Sequence, residues 1–275
     1  MKKTILLNIL FSYHARRILP LHDFFEVIGK KIKERLFGID YSIFKKTITY
    51  YAEKKGEHIT PKEALSRALN KAQHKNAWNE RERNSIEDKL HFYQEVEVYP
   101  FRQPLNKRFG GFRWYRCLIN HISRPSIIEY GCGSAVLTEY LVEHFPDLHF
   151  TVADIPSVTL DFVKWKKQKY MQPYDILTIG IGKEGIPLRR FYDLIICQDV
   201  LEHTPNPLDI VESFVTHLAP GGVLLVDFIN APGGENLKEA VDQREAVKDY
   251  LQCNLIALKA IDVPRGNAGI YVKNT

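Results

Sequence analysis

The sequence predicts an α/β protein in which a doubly wound, mostly parallel sheet follows a helical extension. Three observations carry this. From Ser126 onward, short apolar runs alternate with helical patterns, the signature of strands buried on both faces and linked by helices. A turn with two glycines, EYGCGSA at 129–135, joins the first of those runs to the first of those helices. Before Ser126 the apolar residues recur at helical spacing instead. The spacing therefore predicts a helical extension or lid over 1–105 and a sheet domain over 106–275.

In the extension, Leu21, Phe25, Ile28, Ile32 and Leu36 form one apolar stripe. A second helix covers YSIFKKTITYYAEKKG and stops near Gly56. A third starts at Thr60, with Pro61 in the first helical position and Glu63 completing a capping box. Ala64, Leu65, Ala68, Leu69 and Ala72 give it a face of small residues. A fourth begins at Ser85, with Ile86, Leu90 and Tyr93 on one side. The stretch YPFRQPLNKRFGGFRWYRCL, with two prolines and a glycine pair, reads as a connector into a helix from about Phe112 to His121.

The strand candidates are SIIEY, HFTVAD, DILTIG, YDLIICQ and GVLLVDF, and the helices between them include AVLTEYLVEHF, SVTLDFVKWKKQ and PLDIVESFVTHL. One long helix, from Glu235 to Leu251, precedes LIALKAI and GIYVKN, which the turn-rich DVPRGNA joins as a hairpin. The last strand should then run antiparallel to the rest.

The 45% hydrophobic content of the 275 residues supports a buried core. Four dispersed cysteines without a CxxC pair exclude a disulfide framework and a zinc site, and fit a reduced, cytoplasmic protein without a metal. The opening MKKTILLNILFSYHARR has an apolar run too short to span a bilayer. The charge is uneven: residues 1–125 hold 25 Lys and Arg against 13 Asp and Glu, and residues 126–275 hold 13 against 20. Such asymmetry draws an anionic acceptor or a phosphate backbone toward the first half, or else reflects solvated basic helix faces. Oligomeric state is not legible.

In an open α/β sheet, ligands bind at the carboxyl ends of the strands beside the first crossover. Gly131 and Gly133 permit a close backbone approach there, and the next helix directs its positive end at the site. A nucleoside triphosphate would need Gly-Lys-Ser/Thr after the turn, which is absent. A dinucleotide fingerprint would need a glycine where Val136 stands. Asp154 ends the second strand at the distance expected of a carboxylate gripping a ribose diol, and Glu129 puts a second carboxylate before the turn, favouring an amino group or a sulfonium over a pyrophosphate.

With EYGCGSA, VADIP, DVLEHTPNP and LAPGGVLLV together, the sequence over about 110–275 resembles the Rossmann-like (class I) S-adenosylmethionine-dependent methyltransferases. The resemblance implies seven strands in the order 3-2-1-4-5-7-6. It implies that Tyr130, Gly131, Cys132 and Gly133 line the methionine part, that Glu129 supports its amino end and that Asp154 takes both ribose hydroxyls. Ile155 should flank the adenine, and Gln198 should contact the methionine part through its backbone. Two departures stand out: Ala135 replaces the family's third glycine, and Ile179, Gly180 and Ile181 replace the acid often found after strand three.

His203 follows strand four, close to where the methyl acceptor should lie. It could act as a base toward an acceptor hydroxyl, or serve only in packing or capping. Cys197, inside an apolar strand with no proline before it, reads as a buried thiol. In the connector, Tyr99, Phe101, Arg102, Arg108, Phe112 and Trp114 could form a lid and an anionic clamp, or simply dock the extension. Tyr99, Arg102 and Asn230, with Arg265 in the final hairpin, are the candidate acceptor contacts. The reading is methyl transfer to the oxygen or nitrogen of a small metabolite. The alternative is an RNA-modifying methyltransferase gripping phosphates with its basic half; against it, strand four lacks a (D/N)PP(Y/F)-type motif.

Overall fold

In β1 (Ser126–Tyr130), successive side chains enter opposite cores: Ile127 packs on one side of the sheet, Ile128 and Tyr130 on the other. This alternation is the period of two that a strand imposes. It continues through β2 (His149–Asp154), β3 (Tyr174–Thr178), β4 (Tyr192–Cys197), β5 (Leu218–Val226), β6 (Ile256–Lys259) and β7 (Gly269–Val272). The computed structural model describes residues 41–70, 76–80, 85–105, 112–122, 125–180, 188–228, 236–261 and 269–274. The stripe at 21–36 and the positions Arg108, Asn230 and Arg265 lie outside these residues, as does the side chain of Trp114.

The seven strands are ordered β3-β2-β1-β4-β5-β7-β6, as the resemblance implied. Pairs from β3 across to β5 are parallel; β7 pairs antiparallel with both β5 and β6. The sheet order reverses direction between β1 and β4, so their carboxyl ends flank a crevice.

One face is covered by α5 (Phe112–Ile119), α6 (Val136–His144) and α7 (Val158–Tyr170), which bury Leu118, Leu137, Leu141, Leu160 and Val163 against Phe150, Val152, Leu194 and Ile196. The other is covered by α8 (Pro207–His217) and α10 (Arg244–Asn254), through Val211, Phe214, Val247 and Leu251. The long helix expected from Glu235 to Leu251 is instead two, α9 (Lys238–Asp242) and α10, separated at Gln243. There the Gln243 side chain donates to Pro205 O at 2.9 Å and Glu239 O at 3.1 Å, while Arg244 turns inward to donate from Nε to Phe228 O at 3.0 Å.

The extension forms α1 (Lys45–Tyr50), flanked by tighter and wider helical turns, and ends at Gly56, whose φ of 67° is the left-handed stop the sequence anticipated. In α2 (Pro61–Leu69) the capping box is complete: Thr60 N donates to Glu63 Oε2 at 2.7 Å, and Glu63 N to Thr60 Oγ1 at 3.3 Å. Ser85 and Asp88 form a second box at the start of α3 (Ile86–Glu95). The connector itself contains a helical turn, α4 (Tyr99–Arg102), because Pro100 fits the first turn and Phe101 is buried against Tyr51. The extension docks twice. Residues of α1, α2 and α4 share a core with Phe162 and Trp165 of α7, and Trp78 and Phe92 join the core under α8.

Candidate active site

The crevice is built on the loop between β1 and α6. Gly131 N and Cys132 N both donate to Ala153 O, at 2.8 and 3.0 Å, which ties the turn to the end of β2. Gly131 and Gly133 have φ of 70° and 51°. A Cβ on Gly131 would overlap the Val200 side chain, and one on Gly133 would overlap the Gln103 carboxamide. Conformation favours glycine at both positions, and space does so at Gly131, whereas the Gln103 carboxamide at Gly133 is the movable end of its side chain. Ala135, at the position of the family's third glycine, holds the same left-handed conformation with φ 50° and is fully buried. Its side chain is the smallest that can fill that space, and the strain is tolerated within a packed turn.

Asp154 ends β2 with one carboxylate oxygen turned to the loop and the other to the following amide. Oδ2 accepts from Gly133 N at 2.6 Å and Oδ1 from Ile155 N at 2.8 Å. Burial raises its pKa to about 6 against these hydrogen bonds. Glu129 Oε2 accepts from Thr138 N at 3.0 Å and from Thr138 Oγ1 at 2.5 Å. It thus caps α6 from the adjoining strand, where Ala135 has no side chain able to do so. Burial raises Glu129 to about 7.

The Tyr130 side chain is turned into the core, while that of Cys132 stands beside Asp154. Tyr130 packs edge-on against Phe214 at 4.9 Å, and the buried Cys132 thiol donates to Gly133 O at 3.5 Å. Ile155 is half-buried just beyond Asp154.

At the end of β4, Gln198 Oε1 accepts from the Tyr115 hydroxyl of α5. Asp199 N donates to Asp227 Oδ1 at 2.6 Å, with Asp199 in the left-handed region at φ 53°. Burial, together with Asp199 and Glu202, pushes the Asp227 carboxyl well above its usual range. His203 sits in a helical turn, Leu201–His203, with Nδ1 2.9 Å from Tyr93 Oη of α3 and Nε2 3.9 Å from the buried Glu202 Oε1. Cys197 is fully buried, with its thiol pushed up by burial.

Tyr99 and Arg102 are half-buried on α4. The residue that meets the glycine loop is their neighbour Gln103, whose Oε1 accepts from Ser134 N at 2.5 Å. Sequence reasoning missed Gln103, Tyr93, Asp199 and Asp227. Tyr93 had a signal, since it lies on the apolar face of α3 yet carries a hydroxyl. Gln103 had none, because its contact is set by how α4 docks on α7.

These residues fit an adenosyl amino acid. Two glycines in the left-handed region shape the turn at the end of β1, a half-buried carboxylate stands at the β2 end, and α6 presents its N-terminus to the loop. The buried Ser134 Oγ in that loop has no hydrogen-bond partner among the described residues. No helix of the described residues is long and apolar enough to cross a membrane.

A sequence profile of a methyltransferase domain matches residues 101–255, more than half of the chain. The ubiquinone biosynthesis O-methyltransferase of Histophilus somni (strain 2336) is 28% identical over 116 residues, covering 40% of this chain and 48% of that protein. The corresponding protein of Nitrosomonas europaea is 24% identical over 113 residues, covering 41% and 47%. The chain spans about half the length of these curated relatives. Among solved structures, the N-methyltransferase NodS of Bradyrhizobium japonicum WM9 in complex with S-adenosyl-L-homocysteine aligns with 73% of this chain and all of its own, at 16% identity and a TM-score of 0.49. By the match over 101–255 and the sheet order it accompanies, the chain belongs to the class I S-adenosylmethionine-dependent methyltransferases.

Proposed function

We propose that this protein transfers a methyl group from S-adenosylmethionine to an oxygen or nitrogen of a small molecule, with residues 1–105 serving as a lid and 106–275 as the transferase domain. The observation that carries this reading is the pairing of Asp154 with Gly133 across the first crossover. When bound, S-adenosylmethionine supplies a methyl already activated on a sulfonium. Asp154 accepts the ribose hydroxyls on the lone pairs left after Gly133 and Ile155. Glu129 provides negative potential at the amino end while it caps α6. The backbones of Tyr130, Gly131, Cys132, Gly133 and Gln198 line the methionine part, and Ile155 flanks the adenine.

The protein's share of catalysis is then orientation of the acceptor and exclusion of water, which contribute roughly 7–11 kcal/mol in favourable cases. For a hydroxyl acceptor, His203 takes the proton. In the tautomer whose Nδ1–H donates to Tyr93 Oη, Nε2 is the basic nitrogen, and Glu202 stabilises the imidazolium that results. The curated relatives are O-methyltransferases by name, which favours an oxygen acceptor. Asp199, Asp227 and Glu202 around the end of β4 favour an acceptor uncharged at its reacting end, with Tyr99, Arg102 and Asn230 as contacts for its remainder.

The nucleic-acid reading is weaker, because strand four lacks a (D/N)PP(Y/F)-type motif; among the described residues of the extension, Lys46 pairs with Glu139, Lys55 with Glu97 and Arg67 with Glu57. Incubation with methyl-labelled cofactor and a panel of phenols and amines tests the proposal. Labelled small-molecule product is expected. Label appearing only in RNA, with a steep salt dependence, would favour the alternative.

A further inference from the structure

The two peptides that flank Ser134, in the middle of the glycine loop, are each held by a group that answers to the extension. On the N–H side of this residue stands Gln103, whose Oε1 accepts from Ser134 N at 2.5 Å. Gln103 directly follows α4, and α4 is anchored by the buried Phe101 and by the Thr47 hydroxyl donating to Pro100 O at 2.7 Å. On its carbonyl side stands Lys166 of α7, whose Nζ donates to Ser134 O at 2.6 Å.

Lys166 is 2% exposed, so its charge must be balanced locally. Glu139 of α6 does this at 2.7 Å through Oε1, and its Oε2 pairs with Lys46 of α1 at 2.9 Å. A line of alternating charges, Lys46–Glu139–Lys166, therefore runs from the extension to the loop carbonyl. Sequence reading gave the extension a role in covering the acceptor only. These contacts reach the cofactor side as well.

We infer that Gln103 and Lys166 are positioning residues that fix the two peptides flanking Ser134 in their cofactor-receiving geometry, so that docking of the extension through Lys46 and α4 sets affinity for S-adenosylmethionine. The inference rests on the cofactor assignment above. Ser134 is joined to Gly133, whose amide is the Asp154 partner. When the contacts on either side of Ser134 are lost, the backbone dihedrals of Gly133 are no longer held from that side, and its amide's contact with the carboxylate weakens.

The test is calorimetric titration with S-adenosylhomocysteine, together with amide hydrogen exchange of the loop, in the full chain. Gln103→Ala and Lys46→Met are each expected to weaken binding about fivefold, the size of one lost hydrogen bond. Exchange at Ser134 should quicken in Gln103→Ala, and Lys46→Arg should restore wild-type affinity. Lys46 is one-third exposed, so its replacement tests the line of charges without emptying a core site. Unchanged affinity in both variants, with only the melting temperature lowered, overturns the inference. So does tighter binding in Gln103→Ala, which would make the carboxamide a competitor for the site. Failure of the wild-type chain to bind at all would instead count against the cofactor assignment itself.

Discussion

Glu129 and Thr138 form a strand-to-helix clamp in which one carboxylate oxygen accepts from both the backbone amide and the hydroxyl of the threonine, at 3.0 and 2.5 Å. This clamp orients α6 toward the crevice. Removing its acceptor leaves a buried helix start without a cap, because Ala135 supplies none. Glu129→Ala should therefore lower stability by about 1–2 kcal/mol, and Thr138→Val by a smaller amount, since the amide contact survives. Chemical denaturation of the two variants checks this; equal losses would contradict the division between amide and hydroxyl.

The pH dependence follows from two raised carboxyls. Asp154 at about 6 and Glu129 at about 7 hold their protons more tightly in the folded chain than in the unfolded one, chiefly through burial. Their contribution to stability is thus complete below the ordinary carboxyl range, and is lost as pH rises through 6 and 7. Cofactor binding has the opposite sign, because both roles require the ionised form. Affinity for S-adenosylhomocysteine should fall as pH drops from 8 to 5.5. In Asp154→Asn binding should be weak throughout and the step near pH 6 absent.

Gly131 tests the loop's packing. Gly131→Ala forces a side chain into the left-handed region, at a cost of roughly 1–2 kcal/mol, and drives its methyl into Val200. Adding Val200→Ala should recover the packing part but not the backbone part. A double-mutant cycle in thermal unfolding should accordingly show coupling between the two sites. Strict additivity would mean that Val200 moves aside freely.

At the end of β4, His203→Ala should slow methylation of a phenol acceptor by about 10²–10⁴-fold, the range for loss of a general base, while leaving cofactor affinity unchanged. Tyr93→Phe should shift the pH profile of kcat/KM with a milder loss of rate. If turnover of both variants matches wild type, His203 is a packing residue.

Where local chemistry sufficed, the fold was legible. The apolar runs of β1 and β2 end where the sequence says, because Gly131 and Asp154 terminate them. Thr60 and Gly56 mark helix ends through caps that depend only on neighbours. Legibility failed where a distant partner decides. The break at Gln243 is fixed by Pro205 and by Arg244 reaching Phe228. The turn at Tyr99–Arg102 forms inside a proline-rich connector because Phe101 finds a buried site beside Tyr51. For the candidate site, Asp154 and Glu129 were visible from their register with the glycine turn. Their partners Gly133 and Thr138 emerge only in the structure. Gln103, Tyr93 and the Asp199–Asp227 pair come together only when the extension and β5 are in place.

The central claim is that the carboxylates at the first crossover select an adenosyl amino acid, and calorimetric titration of the purified chain at pH 8 tests it most directly. Saturable binding of S-adenosylhomocysteine at one site per chain is predicted, with no heat from NAD and with binding nearly abolished in Asp154→Ala. Equal binding of NAD, or S-adenosylhomocysteine affinity indifferent to Asp154, would contradict it.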